Sequence, residues 1–177
     1  LKGMKTHLVE HAAQLKQMLA DYPAYVRQSR KIKFLRLKKL GSIAGIDFQT
    51  ADLDANESFG DSAIFFPDLK MVATGDLVYR DFHPYIGENR PEEWLKALAA
   101  IKTSFDFDIV LTGHGEIGTP DTVSQTTNYL NKFIRVTSIM SLEEAGREIR
   151  RVFPAHRNEF ILDLGLRKRY ATKVGGR

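Results

Sequence analysis

The sequence contains no cysteine. No disulfide can staple this chain, no thiolate can serve as nucleophile, and any metal site must be built from His, Asp or Glu. It also lacks an apolar run near the roughly 20 residues needed to cross a bilayer, and its N-terminus lacks the apolar core of a signal peptide. The expectation is therefore a cytoplasmic protein with no membrane partner. Internal repeats, low-complexity tracts and linkers are missing too. What is present is ordinary globular material: 177 residues, 43% hydrophobic, with a formal charge of +4. That is enough for one domain with a sizeable core, expected to cover residues 1–177.

The positive surplus is concentrated in two places, residues 27–39 and the terminal LRKRYATKVGGR. Residues 27–39, RQSRKIKFLRLKK, place seven cations in thirteen residues, a density that could follow a phosphate backbone. We read them instead as the solvent side of a strand or helix whose apolar residues are Ile32, Phe34 and Leu37. Nucleic acid is not the expected partner.

Hydrophobic periodicity divides the chain. Met4, Leu8, Ala12, Leu15 and Leu19 recur at helical spacing and predict a helix over 4–20, ending before Pro23. Strands are expected at 32–37 and 43–50, antiparallel across the KKLGS turn. AIFF and KMVAT then form a hairpin, because Pro67 and Asp68 have turn chemistry and the flanking runs are aromatic and β-branched. Pro91 opens a helix that buries Trp94, Leu98 and Ile101. FDIVLTG is a short strand followed by the glycine-flanked loop HGEIG. Thr119 and Pro120 start a long helix to about Ile139, with Val123, Leu130 and Phe133 inward. Ser141 and Glu144 form the capping box of a further helix through Phe153. Strands followed by helices around one more strand predict a layered α+β or α/β sandwich.

Two polar residues sit where strands should surface. Asp76 directly follows MVATG, and a carboxylate buried there without a partner costs several kcal/mol. His114 follows the second strand. Side chains at the ends of neighbouring strands converge on one edge, so the pair could share a divalent metal, with Gly75, Gly113 and Gly115 allowing close backbone approach. A second candidate is His7, Glu10 and His11 in THLVEHAAQL, a His-x-x-Glu-His string on a predicted helix, read mainly as solvated helix residues.

The segments FGDSAIFFPDLKMVATGDLVY, HPYIGENRPEEWLKAL and IVLTGHGEIG resemble the C-terminal half of the metallo-β-lactamase fold superfamily. In that family a loop ligand before Gly-Asp-Ser leads into a hairpin, then a strand closing in Gly-Asp, then a Gly-His-Gly loop. The resemblance covers roughly residues 43–135, and EEAGREIRRVFPAHRNEFILDLGL is similar to tails seen there. The resemblance implies the αββα layered sandwich, here mainly its C-terminal αβ half, and two metal sites for zinc or another divalent ion. Asp76 matches the metal carboxylate that orients the reacting water, and His114 the histidine of the last motif. The third-motif histidine falls on Glu57. His83, Tyr79 and Tyr85 fall beside the substrate cleft. The first motif, His-x-His-x-Asp-His, does not occur in these 177 residues. The resemblance thus implies a metal-dependent hydrolase of a small molecule when that motif is supplied upstream of Leu1, where further residues are expected. The alternative is an inactive half-fold, self-associating as a homodimer through the sheet face left uncovered.

Overall fold

The computed structural model describes residues 40–53, 57 and 61–175. They belong to the second of two compact units into which the chain divides, Lys38–Arg177. The helix expected at 4–20, the strand at 32–37, the basic run 27–39 and the His7–Glu10–His11 string lie outside the described residues. Among the described residues no helix is long and apolar enough to cross a membrane.

Five strands form one sheet in chain order, β1 (Leu40–Ile43), β2 (Ile46–Asp52), β3 (Ser62–Phe66), β4 (Met71–Tyr79) and β5 (Ile109–His114). The first four pair antiparallel, and β5 runs parallel to β4. A parallel neighbour needs a crossover, supplied here by helix α1 (Pro91–Ser104). Then follow α2 (Pro120–Ile139), α3 (Leu142–Val152) and α4 (Glu159–Gly175).

The predicted hairpin is present, with a 3-10 turn at Pro67–Leu69 between β3 and β4. The helix starts at Pro91 and Thr119–Pro120 are also as expected, and Ser141 and Glu144 close their capping box. Two expectations are corrected. The KKLGS turn is not a turn at its glycine: Gly41 lies within β1, and the chain reverses at Ala44 (φ 53°) and Gly45 (φ 82°). Packing explains the glycine, since a Cβ at Gly41 would stand 2.6 Å from Cζ of Phe48 on the paired strand. The second is the strand expected at 43–50, which this reversal splits, leaving Ile43 in β1 and starting β2 at Ile46; α4 carried no sequence expectation and buries Leu162 and Leu166, one turn apart.

Burial alternates along the sheet. Ala63, Phe65, Val72 and Val110 are buried on the face covered by helices, where Phe65 stacks on Phe105 at the end of α1 with centroids 4.9 Å apart. Trp94 of α1 is fully buried, and its indole N–H donates to the Leu77 carbonyl at 2.9 Å. On the opposite face the registered neighbours Ile64, Ala73 and Leu111, and Phe66 and Met71, are only half-buried.

Candidate functional site

The site lies where β4 and β5 end side by side. Regular pairing holds at Met71–Ala73, then breaks: Gly75 pairs with Thr112 and Tyr79 with His114, so Asp76, Leu77 and Val78 stand opposite Gly113 alone. This is a bulge, the device that re-aims a side chain on a strand. Its turn is taken by Gly75 at φ 52°, a backbone state that glycine enters without a Cβ penalty. Leu77 and Val78 anchor the bulge in the core, and Asp76 is left pointing outward.

Asp76 was expected to close its strand; it lies within β4, which runs on to Tyr79. The result for its carboxylate is the same exit toward solvent. Its Oδ1 lies 3.5 Å from His114 Nε2, with the two side chains 44% and 46% exposed respectively. That is an ion-pair distance rather than a short hydrogen bond. Gly113 makes it possible, because a Cβ there would meet Asp76 Oδ1 at 2.0 Å and the Gly75 carbonyl carbon at 2.6 Å. Gly115, at φ 99°, lets the loop after β5 pass the Arg80 carbonyl.

His114 is held from behind. The Tyr79 ring stacks on it at 5.1 Å and 19°, and Phe82 approaches at 5.8 Å. The His114 carbonyl accepts the Arg80 N–H at 3.0 Å. Tyr79 is in turn pinned to α2: its N–H donates to the Thr126 hydroxyl at 3.2 Å, which donates to the Tyr79 carbonyl at 3.1 Å. Burial first, then the Asp76 and Glu57 carboxylates, push the Tyr79 phenol well above its ordinary range. It stays protonated, against the lowering influence of the Tyr85 backbone. Tyr79 thus backs the histidine instead of facing a cleft.

Glu57 is 8% exposed, and its backbone N–H donates to Asp61 Oδ2 at 2.9 Å. Its field reaches Tyr79, but among the described residues no three His, Asp or Glu groups are arranged to hold a metal. Of the expected donors Asp76, His114 and Glu57, the first two stand together at 3.5 Å. Imidazole and carboxylate suit a zinc-like ion by donor chemistry, but a zinc site takes three or four protein ligands, so the described residues do not fit a complete centre.

His83 is also corrected. It is 2% exposed, turned into the core, with Nδ1 2.7 Å from the Tyr129 hydroxyl. His156 stacks on Tyr129 at 5.5 Å and stands 5.4 Å from His83, and Phe153 closes the cluster. Burial, then His156 and Arg150, lower the His83 pKa to about 4, against the raising influence of Glu159 and Asp163. Burial likewise lowers His156, against Asp81. Tyr85 is half-buried, its ring occupying the space beside Gly87 that a Cβ would fill. Phe82, Thr126 and Tyr129 were missed by sequence reasoning; of these Thr126 and Tyr129 carried a signal, lying on the inward stripe of α2 with Leu130 and Phe133.

No family model matches the sequence, and no curated protein matches it. Solved structures match its fold. A metallo-beta-lactamase from Pontibacter korlensis is 17% identical with a TM-score of 0.48, over 57% of this chain and 48% of its own. TMB-1 is 16% identical with a TM-score of 0.49, over 62% of this chain and 53% of its own. A double mutant of the sec-alkyl sulfatase PisA1 is 15% identical with a TM-score of 0.54, over 82% of this chain and 27% of its own. The chain thus spans about half the length of the first two and about a quarter of the third. At such identities the likeness concerns fold alone. The likeness that reaches a TM-score of 0.54, to the sec-alkyl sulfatase, is one of fold, and the mixed α/β architecture is the one expected.

Proposed function

We propose that Asp76 and His114 are two donors of a metal-dependent hydrolytic site whose remaining donors come from outside the described residues. The observation that carries this reading is the 3.5 Å approach of the two groups at one exposed strand edge, beside a bulge whose Asp76 carboxylate occupies the space that a side chain at residue 113 would need. The Asp76 carboxylate makes no core contact there, and His114 packs against Tyr79 while its Nε2 faces the carboxylate. A bound divalent ion would supply an activated water near neutral pH. The chain's own residues fix the histidine ring between Tyr79 and Phe82, and keep the Asp76 carboxylate half-open to solvent. Lactams, esters and phosphoesters are all compatible substrates, since fold does not select among them.

The test is zinc retention by the purified chain, joined to the residues that precede it wherever the native protein has them. About two ions per chain are expected for a complete site. Asp76→Ala and His114→Ala should each weaken retention by roughly tenfold or more. Unchanged zinc content in both variants would sink the assignment.

A second reading is favoured by the half-buried face of Ile64, Phe66, Met71, Ala73 and Leu111, next to Ile109 at 38% and Leu69 at 46% exposure. Contiguous apolar surface of this kind marks interaction sites. In this reading the chain is a self-associating module without chemistry, a two-fold homodimer. Light scattering after gel filtration separates the two: a dimer without retained metal supports the module, and a metal-loaded monomer supports the hydrolase.

A further inference from the structure

Beside the Asp76–His114 edge, the segment between α3 and α4 crosses the loop that follows β4. Phe82 and Arg157 form a parallel bridge there. Arg157 N–H donates to the Asp81 carbonyl, and His83 N–H to the Arg157 carbonyl, each at 3.0 Å. The residues flanking this bridge are both left-handed, Asp81 at φ 60° and Asn158 at φ 64°. Asp and Asn enter that region more readily than other residues with a Cβ, and such positions gather at functional sites. Their effect here is local. They turn two chain segments so that one side chain lies on the other.

The outcome is a stack. Arg157 Cζ lies 4.1 Å from the centre of the Phe82 ring, and that ring lies 5.8 Å from the ring of His114. One aromatic ring is therefore shared by an exposed guanidinium and the candidate reaction edge. Arg80, Arg150, Arg151 and Arg169 each engage a carboxylate. Arg157, like Arg135, Arg147 and Arg167, has no carboxylate within 4.0 Å among the described residues, and it alone of these four lies over an aromatic ring there. The acid next to the bridge, Asp81, faces Arg80 at 3.9 Å. A guanidinium lying over an aromatic face is oriented by that ring, and its in-plane N–H fork stays available. Such a fork matches carboxylate, phosphate or sulfate oxygens two at a time.

We propose that Arg157 binds an oxyanion carried by the substrate, a carboxylate, phosphate or sulfate, beside the group that reacts at Asp76 and His114. The substrate class is then anionic, with Phe82 in contact with both the recognition group and the reaction edge. This inference rests on the reading of Asp76 and His114 as a reaction edge, but the binding of the anion does not depend on metal or turnover. The two can fail separately.

The experiment titrates inorganic phosphate into the full chain and follows the backbone amide resonances of Phe82, His83 and residue 157, with the Arg157 Nε–H resonance as a further reporter in the wild type. A saturable shift is expected in the wild type. Arg157→Gln should weaken binding about tenfold or more, Arg157→Lys should keep part of it, and Arg151→Gln should leave it unchanged. Where hydrolysis is measurable, kcat/KM for a carboxylate-bearing aryl ester should fall about tenfold relative to its neutral counterpart in Arg157→Gln. Phosphate binding of equal strength in Arg157→Gln, or no saturable shift in the wild type, overturns the proposal. Saturable binding in a chain that retains no metal and hydrolyses nothing leaves Arg157 as an anion site and removes the hydrolase reading instead.

Discussion

His114 closes β5 and His83 lies four residues past the end of β4; each has a proline or a glycine beside it, and they end in opposite surroundings. His114 is nearly half exposed, with a carboxylate 3.5 Å away and aromatic rings only behind it. His83 is 2% exposed, and its partners are a phenol, a second imidazole and, through it, another ring. One is placed to meet a ligand, the other to complete a core. The lesson is that burial, more than residue type or loop position, decides what a histidine can do: a buried imidazole is held neutral and spends its nitrogen on an internal partner.

The contrast can be broken by substitution. Tyr129→Ala should be the most damaging change, destabilising by about 3–5 kcal/mol through a cavity and a lost partner for His83, measured as a drop in urea midpoint. A cost near zero would show that the buried cluster is not structural. Acid gives the next effect. The unfolded chain takes up a proton at His83 near pH 6.5 and the folded chain only near 4. Stability is therefore complete above pH 6.5 and is lost as pH falls toward 4, by on the order of 2 kcal/mol. His156 shifts the same way. His83→Gln should flatten that slope, and an unchanged slope would assign it to other groups.

At the exposed end, Gly113→Ala sets a Cβ against Asp76 Oδ1 and the Gly75 backbone. Overpacking of this kind costs about 1–3 kcal/mol, and the bulge should shift so that the Asp76–His114 approach opens, visible as movement of the His114 ring resonances. The smallest effect is expected for His114→Ala, within about 0.5 kcal/mol in stability. A cost comparable to Tyr129→Ala would mean that His114 is a packing residue, and the comparison would collapse.

Much of the frame was legible. Proline at a helix start, Thr119 before Pro120, the Ser141–Glu144 box and the Pro67 turn are local signals, decided within a few residues, and they appear where expected. Gly41 misled because a glycine has two uses. It reads as a turn, yet here it makes room for the Phe48 ring across the strand pair. The inward turn of His83 was not legible because a loop has no period to say which way a side chain points. Tyr129 was closer to reach, since it shares the stripe of α2 with Leu130 and Phe133. Nothing local linked it to His83, 46 residues away.

By itself the sequence restricted any donor set to nitrogen and oxygen, since it has no thiol, and it put an aspartate and a histidine near the exits of two strands. Only the tertiary structure decided that they meet. Register between parallel strands is a non-local property: the bulge at Asp76–Val78 and the bare backbone at Gly113 have to coincide across a crossover helix before Oδ1 and Nε2 come together. The same long-range packing drew Arg157 onto Phe82 beside them, through contacts that no spacing along the chain encodes.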